Sequence, residues 1–386
     1  MNSLSPITAA EAAPFSLASA PGHSGAVFSA AQNLLPRLER GQRVDAEILR
    51  AAMEAAFGAS DASGAWDWKL AYDACEAATV LFLRKYGKVL FRKGGSPAAI
   101  LPMVAKIAGL LPTHTRRSVE SETFQQFSTP IPLALAAATA ASITPADRVL
   151  EPSTGTGLLA ILGEIAGATL LLNELADTRA GLLSSLFPAV SVTRFDAAQI
   201  DDHLDPAAIP SVVLMNPPFS ALANVSGRVA DTAYRHIASA LARLTDGGRL
   251  VATTGASFAP DAPAWRDAFA RLQERGRVVF TAAIDGAVYA KHGTTIDTRL
   301  TVIDKTPADD PGMFPTSPGI APDVATLLGW VGTHVPARLP MTPMVPPPAA
   351  SAPVPRTVRG YLARNAATAS KAVLAEPEGI ELVYEI

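Results

Sequence analysis

The sequence predicts an α/β protein: a doubly wound, seven-stranded, mostly parallel sheet with helices on both faces, preceded by an N-terminal helical domain. First, strand-like apolar runs alternate with helix-like spacing from about residue 124 to residue 304. Second, residues 31–118 contain helical spacing alone. Third, a glycine-containing loop joins the first predicted strand to the next helix, a connection typical of Rossmann-like folds.

Composition divides the chain into four predicted segments. They are a disordered N-terminus rich in Ala, Ser and Pro (1–30), a helical domain (31–118), a Rossmann-like domain (119–306), and a proline-rich linker with a C-terminal tail (307–386). The apolar ending Val383-Tyr384-Glu385-Ile386 suggests that the natural chain is longer.

The helical domain is predicted to contain helices within residues 31–57, 66–86 and 97–111. The second of these ends in Arg84-Lys85-Tyr86-Gly87, where cations followed by glycine are typical of a helix terminus. The end of this domain is locally basic, which indicates either an ordinary solvated face or an edge that contacts phosphates. Its cations are Lys85, Lys88, Arg92, Lys93, Arg116 and Arg117.

The Rossmann-like domain is predicted from its alternating elements. We expect strands near 148–151, 169–173, 190–195, 211–215, 248–254, 277–283 and 298–304. We expect helices over 130–142, 156–166, 176–186, 232–244 and 262–275. The last two strands are close in sequence, so they can form an antiparallel hairpin.

Bulk composition excludes several classes of protein. The chain has 386 residues, of which 49% are hydrophobic and 17% charged, enough apolar material for a large core. Its formal net charge of -3 is not that of a globally basic nucleic-acid binder. Cys75 is the only cysteine, which excludes an internal disulfide and a cysteine-based zinc site. No secretory signal or apolar run of membrane-spanning length is evident, so we expect a cytoplasmic protein.

The most informative motif is Asn216-Pro217-Pro218-Phe219, which follows the apolar run of the fourth predicted strand. Proline cannot continue a strand ladder, so the chain turns sharply and leaves a rigid rim at the carboxyl end of the strand. An amide oxygen and a proline carbonyl there can accept both hydrogens of a planar amino group, while an aromatic ring stacks on its face. The alternative is an ordinary strand-to-loop turn.

Acidic residues follow the first three predicted strands. Glu151 precedes Pro152, Ser153, Thr154, Gly155 and Gly157 of the glycine loop. A carboxylate there disfavours a pyrophosphate and favours a cationic ligand, although the loop also matches a dinucleotide site. Glu174 is placed to bind ribose hydroxyls, and Asp196, beside Ala197, to accept from an adenine amino group. For both, helix capping is an equal alternative.

Two further segments are candidates for ligand contact. Thr129 and Pro130 begin a predicted helix whose free N–H groups can hold a carboxylate, although plain capping is the simpler interpretation. Lys291 and His292 are predicted to lie in a hairpin loop near the mouth of the site, where Lys291 could touch phosphate. His292 is more typical of a surface residue than of a catalytic base.

Together these motifs resemble the class I methyltransferases that depend on S-adenosylmethionine, and among them the adenine-N6 type. The resemblance covers about residues 120–305. It implies that Thr129 and Pro130 lie by the methionine end of the cofactor, with Glu151, Ser153, Gly155 and Gly157 lining the pocket. It also implies that Glu174 holds the ribose, Asp196 holds the adenine, and Asn216, Pro217 and Phe219 grip the target base. Glu151 departs from the more usual aspartate.

The segment with Trp66-Asp67-Trp68-Lys69 resembles a narrower group, the bacterial and phage strawberry-notch-like proteins of the DarB kind. In that group a methyltransferase precedes a helicase-type ATPase. The present chain has no G-x-x-x-x-G-K-[ST] loop, so the resemblance implies an ATPase domain or subunit outside it.

The expected function is therefore methyl transfer from S-adenosylmethionine to adenine N6 in DNA, without a metal or a covalent enzyme intermediate. Three alternatives stay open: methylation of RNA adenine or protein glutamine, a cofactor-binding module without catalysis, and a nicotinamide dehydrogenase. Nucleic acid is the expected partner.

Overall fold

The computed structural model describes residues 22–115, 128–218 and 232–339. All of these residues belong to one structural unit, Met1–Met341. The predicted disordered stretch up to residue 21, the base-stacking Phe219, the cations Arg116 and Arg117, and the tail from residue 340 lie outside the described residues.

Four helices form the N-terminal part of the described chain. They are α1 (His23–Glu39), α2 (Ala46–Phe57), α3 (Trp68–Gly94) and α4 (Pro97–Leu110). Side chains cap three of them: Asp45 accepts from the Ile48 N–H, Asp67 from Leu70, and Ser96 from Ala99. Helix α1 begins inside the stretch predicted to be disordered up to residue 30, because its face with Val27 and Ala30 is buried in the core.

The structure corrects the predicted end of helix α3. The helix does not end at Gly87 but continues to Gly94, and Gly95 follows in the left-handed conformation with a φ of 70°. Gly87 is instead a packing glycine, since a Cβ atom there would lie 2.4 Å from Cδ1 of Ile165. The cations around Gly87 therefore line an exposed stretch of continuous helix.

The sheet has the strand order β3-β2-β1-β4-β5-β7-β6-β8. Its strands are β1 (Arg148–Glu151), β2 (Thr169–Asn173), β3 (Val192–Thr193), β4 (Val212–Met215), β5 (Arg249–Gly255), β6 (Arg277–Ile284), β7 (Thr298–Asp304) and β8 (Ile320–Ala321). Strand β7 runs antiparallel to both β5 and β6, and the other pairs are parallel. The predicted doubly wound, mostly parallel sheet is confirmed, as is the antiparallel pairing of its last two predicted strands, but the described residues form eight strands and not the predicted seven, because β8 adds to the edge beside β6.

Helices cover the sheet. They are α5 (Ile131–Ala141), α6 (Ala160–Ala166), α7 (Asp177–Leu186), α8 (Ile200–His203), α9 (Thr232–Arg243), α10 (Arg266–Gln273) and α11 (Val324–His334). Short 3₁₀ helices span Asp61–Ser63, Ala197–Gln199 and Gly286–His292. Helix α6 begins four residues later than the predicted position 156, because Gly155 and Gly157 have positive φ angles and the loop turns before the helix starts.

The N-terminal helices and the sheet share one continuous apolar core. It includes Leu83 of α3, Leu133 of α5 and Val149 of β1. Arg84 of α3 also forms a bidentate ion pair with Glu164 of α6, at 2.7 and 2.9 Å. The helical layer is therefore packed directly on the helices that cover the sheet.

Beyond Lys305 the chain returns to the sheet within the segment predicted to be a proline-rich linker. Strand β8 pairs with β6, and α11 buries Leu327, Leu328 and Val331. The Arg338 guanidinium grips Asp147 at 2.7 and 2.8 Å. Within the described residues, no helix combines the length and apolarity that crossing a bilayer requires.

Candidate cofactor and acceptor site

The order of the strands places a cleft at the carboxyl ends of β1 to β4. From β1 the sheet extends through β2 and β3 on one side and through β4 on the other, and such a switch point is where open α/β sheets bind ligands. A cavity of about 210 Å³ lies there. The structure brings the following predicted residues together in its lining: Thr129, Glu151, Pro152, Ser153, Thr154, Gly155, Glu174, Asp196, Ala197, Asn216 and Pro218. We call this the strand-tip cavity.

Glu151, at the end of β1, is the most unusual group in the strand-tip cavity. The residue is only 2% exposed, and its Oε2 atom accepts no hydrogen bond from any described residue. Burial raises its pKa well above the ordinary value, a backbone hydrogen bond from Ala160 acts in the opposite direction, and the charge of Glu174 adds to the rise. A buried carboxyl with an open acceptor favours a cationic or hydrogen-bond-donating ligand.

The glycine loop is bonded to the tip of β2. Gly155 has a φ of 60°, and its N–H donates to Oε2 of Glu174 at 2.7 Å. The Thr154 hydroxyl donates to the carbonyls of Glu151 and Asn173, each at 3.0 Å. Gly157, predicted to line the pocket, has a different role: a Cβ atom there would lie 2.6 Å from the Phe187 ring. It permits close packing beneath the loop.

Asn173 joins three strand tips through one buried amide. Its Nδ2 donates to the carbonyls of Pro152 and Phe195, at 2.8 and 2.9 Å. Its Oδ1 accepts from the N–H of Phe195 and the hydroxyl of Thr193, at 2.8 and 2.9 Å. Sequence reasoning assigned no role to Asn173, because an asparagine before an acidic residue carries no signal of such long-range bonds.

Glu174 and Asp196 both act locally as well as lining the cavity. Oε1 of Glu174 accepts from the N–H of Ala176 at 2.9 Å, and Oδ1 of Asp196 accepts from Ala198 at 2.9 Å. Asp196 therefore caps the 3₁₀ helix Ala197–Gln199, whereas Glu174 bonds to the N–H of the residue before α7 and does not cap that helix. Each carboxylate oxygen has a second lone pair, so these local hydrogen bonds do not consume the capacity to accept from a ligand.

Asn216 lies at the tip of β4 beside a buried tyrosine. Tyr289 is 0% exposed, and its phenol lies beside the side chains of Thr129 and Asn216. Burial raises the pKa of this phenol, and the neighbouring Thr129 and Asn216 act in the opposite direction. Thr129 and Asn216, far apart in sequence, thus both lie next to Tyr289. Pro218 lines the cavity, whereas Pro217 does not.

Arg179 and His236 are among the cavity residues that were not predicted from the sequence. Arg179 of α7 forms a buried ion pair with Asp73 of α3 at 2.8 Å, so the N-terminal helical layer braces the glycine loop. His236 of α9 faces the cavity, and its Nδ1 has no hydrogen-bond partner among the described residues. Burial lowers its pKa to about 4. The position of His236 on the buried face of α9 is the sequence signal that could have indicated its place in the cavity.

The structure places Lys291 and His292 away from the strand-tip cavity. They lie in the 3₁₀ helix Gly286–His292, where a hairpin loop was predicted. The Lys291 Nζ donates to the carbonyls of Ala108, Gly109 and Leu111, at 3.1, 3.2 and 3.1 Å. Its ammonium satisfies carbonyls at the end of α4, which corrects the predicted contact with phosphate.

Pro130, which was predicted to lie by the cofactor, does not line the strand-tip cavity either. It precedes α5 as the N-cap residue, and no side chain caps this helix among the described residues. Pro130 lines a neighbouring cavity together with His292, not the strand-tip cavity. Thr129 alone of this pair reaches the predicted site.

Comparison with protein-family models gives no match, and neither does comparison with curated protein sequences. Solved structures with a similar fold include a class I S-adenosylmethionine-dependent methyltransferase from Listeria monocytogenes, with 11% identity over 81% of this chain and 99% of the other, and a TM-score of 0.44. They include a type I restriction-modification methyltransferase subunit from Streptococcus thermophilus, with 14% identity over 61% of this chain and 57% of the other, and a TM-score of 0.43.

TrmN from Thermus thermophilus is a third such structure, with 20% identity over 45% of this chain, 49% of the other, and a TM-score of 0.34. The chain thus spans about half the length of TrmN and 57% of the Streptococcus thermophilus subunit. Because the identities and TM-scores are low, the description of this fold rests on its own strand order and register.

Proposed function

We propose that this chain is an S-adenosylmethionine-dependent methyltransferase that modifies the N6 amino group of adenine, with DNA as the acceptor. One observation carries the proposal: side chains from four successive strand tips, Glu151, Glu174, Asp196 and Asn216, line a single cavity. The cavity combines a buried carboxyl, two further acids and an amide. That set suits a cationic nucleoside donor beside an amino acceptor.

The residues of the strand-tip cavity fit this cofactor chemically. Oε2 of Glu151 is a buried acceptor that lacks a donor among the described residues, which suits a ligand carrying an ammonium group. Glu174 would accept from the ribose hydroxyls, using the lone pairs that Gly155 and Ala176 leave open. Asp196 would accept from the adenine amino group.

In this proposal Asn216 accepts one hydrogen of the acceptor amine, and a carbonyl of the Pro217-Pro218 turn, of which Pro218 lines the cavity, accepts the other. An exocyclic amine is a poor nucleophile because its lone pair is delocalised into the ring. Accepting both hydrogens favours a pyramidal nitrogen with a localised lone pair, and the cofactor supplies the electrophilic methyl group. Positioning and electrostatics would supply most of the rate gain. In duplex DNA the base must first leave the stack, and Phe219 would replace the lost stacking.

The choice of DNA rests on the sequence resemblance. Lys88, Arg92 and Lys93 are exposed on α3, about 22–30 Å along the helix from Asp73, the partner of the cavity residue Arg179. Gly87 packs on Ile165 near the end of α6, so these cations lie toward the amino ends of the strands, away from the cavity, and do not support the choice of DNA. We also propose that the chain works as a module of a larger nucleic-acid-modifying protein.

The test is transfer of a labelled methyl group from S-adenosylmethionine to DNA, RNA and protein, with wild type and Asn216→Ala. We expect label in DNA adenine with wild type and a fall of about 10²–10³-fold in the variant, because the amine loses an acceptor in the transition state. Cofactor affinity should change by less than about 3-fold, since Asn216 faces the acceptor.

Asn33→Ala is the matched control, because Asn33 is exposed on α1. It should keep the wild-type rate. Full activity in Asn216→Ala would refute the gripping role, and label in RNA or protein alone would refute DNA as acceptor. Cofactor binding without transfer to any of the three would indicate a non-catalytic module.

A further inference from the structure

A second cavity, of about 260 Å³, lies between the N-terminal helices and the 3₁₀ helix Gly286–His292. Three of its side chains, Glu76, His114 and His292, each offer one ligand atom, and these three atoms lie within 4.8 Å of one another. We call this the histidine cavity. The proposed methyl transfer uses none of these three residues.

The three residues come from separate elements whose backbones are held together. Glu76 lies in α3, His114 follows α4, and His292 ends the 3₁₀ helix. The N–H of His114 donates to the Lys291 carbonyl at 2.8 Å. A Cβ atom at Gly293, where φ is 78°, would lie 2.7 Å from the His114 carbonyl oxygen, so the two segments approach closely because this position is glycine.

Neighbouring groups fix the direction of the side chains. The His114 ring stacks on Tyr72, with centroids 4.1 Å apart and planes 13° from parallel. The Thr156 hydroxyl donates to Oε2 of Glu76 at 2.7 Å, which leaves Oε1 facing His292. Such outer hydrogen bonds to a carboxylate are typical of groups that orient metal ligands.

The contact between Glu76 and His292 is incomplete as a hydrogen bond. Nδ1 of His292 lies 3.6 Å from Oε1 of Glu76, beyond hydrogen-bonding distance. This Nδ1 is buried and has no hydrogen-bond partner among the described residues. Glu76 itself is only 4% exposed. A buried nitrogen and a buried carboxylate oxygen thus face each other across a gap.

We propose that Glu76, His114 and His292 bind one Zn²⁺ ion in the histidine cavity. Two imidazoles and one carboxylate are an established zinc ligand set, and three protein ligands leave a fourth position toward the cavity. With metal–ligand bonds of about 2.0–2.1 Å, the edge of a tetrahedron is about 3.4 Å, close to the observed gap between His292 and Glu76. A Zn²⁺ ion there would bridge Nδ1 of His292 and Oε1 of Glu76, which are too far apart for a direct hydrogen bond.

The bound ion would join α3, the segment after α4 and the connection between β6 and β7. Through Thr156, which also lines the strand-tip cavity, it would lie one hydrogen bond from the glycine loop. The competing explanation is a direct ion pair between Glu76 and a protonated His292, with no metal.

Zinc content separates these explanations. The protein is prepared without a polyhistidine tag, equilibrated with Zn²⁺, freed of unbound metal and measured by mass spectrometry for metals. We expect about one zinc per chain in wild type and in the control His334→Gln, whose histidine is exposed at the end of α11. We expect less than about 0.2 zinc per chain in His114→Gln and His292→Gln.

Replacement with Co²⁺ gives a test that needs no variant. The intense visible absorption of a four-coordinate Co²⁺ ion in wild type, removed by one equivalent of Zn²⁺, supports the site. Wild type without bound zinc and without this absorption overturns the proposal, and so does equal zinc content in wild type and folded His292→Gln. Circular dichroism establishes that each variant is folded.

Discussion

The strand-tip cavity and the histidine cavity share a lining residue but offer different groups to a ligand. The strand-tip cavity contains a buried carboxyl whose Oε2 lacks a donor among the described residues, suited to a cationic organic ligand. In the histidine cavity, two imidazoles oppose one carboxylate, which suits a metal ion. Leu158 lines both cavities, and Thr156 lines the first while bonding to Glu76 in the second. Neighbouring cavities can therefore favour different ligands through the hydrogen-bond donors and acceptors that contacts within the protein do not use.

Removing the charge of the strand-tip cavity is expected to have the largest effect on ligand binding. Glu151→Gln keeps the size of the side chain but cannot ionise. We expect S-adenosylmethionine to bind about 30-fold more weakly at pH 8, because a cation loses its buried partner. Titration calorimetry measures this, and Glu47→Gln, an exposed residue of α2, is the control.

The same variant tests proton release. Because the pKa of Glu151 is raised, wild type should release a proton when a cation binds, and its affinity should increase with pH. The heat of binding in buffers of different ionisation enthalpy reports this release. Wild type and Glu151→Gln releasing equal numbers of protons would contradict the role of Glu151.

Thr156→Val separates the two cavities. The variant keeps the shape of the side chain but removes the hydrogen bond to Glu76. We expect zinc affinity to fall about 10-fold, as for loss of an outer-shell partner, and cofactor affinity to fall less, because Thr156 is one of many residues that line the strand-tip cavity. Chelator competition measures zinc affinity, with the exposed Thr333→Val as the control. A larger effect on the cofactor than on zinc would contradict this division.

Tyr289→Phe tests the support of the acceptor side. The ring stays packed, but the phenol that lies beside Asn216 and Thr129 is lost. We expect methyl transfer to fall about 5-fold with cofactor affinity unchanged, because the acceptor side loses a polar group that helps to position Asn216. Tyr86→Phe removes an exposed hydroxyl that bonds to Glu39 and should have no effect. An unchanged rate in Tyr289→Phe would show that the Tyr289 hydroxyl does not support the acceptor side.

The last prediction concerns stability and pH. A carboxyl with a raised pKa in the folded protein holds its proton more tightly there than in the unfolded chain. Its contribution is therefore complete below the unfolded pKa of about 4.3 and is lost as pH rises through the folded pKa. Urea unfolding should show wild type losing stability relative to Glu151→Gln between pH 5 and pH 8. A constant difference would contradict the raised pKa.

Local patterns explain why much of the strand-tip cavity could be predicted. Glu151, Glu174, Asp196 and Asn216 each follow an apolar run, and the ends of parallel strands meet at one edge of a sheet. The alternation of strands and helices likewise predicted the sheet, because burial on both faces leaves continuous apolar runs.

Tertiary packing decides the features that could not be predicted. Glu76, His114 and His292 lie on three elements far apart in sequence, and no spacing marks them as neighbours. The continuation of α3 through Gly87 depends on contact with Ile165, which the local sequence does not reveal. The hydrogen bonds from Lys291 to carbonyls at the end of α4 also depend on where that helix packs, which the local sequence does not reveal.

Equilibrium titration of wild type with S-adenosylmethionine shows whether the strand-tip cavity binds this cofactor. We predict one S-adenosylmethionine site per chain at pH 8, weakened in Glu151→Gln and Glu174→Ala, and no competition by NAD. Binding of NAD that displaces S-adenosylmethionine, or the absence of S-adenosylmethionine binding to the folded protein, would contradict the account.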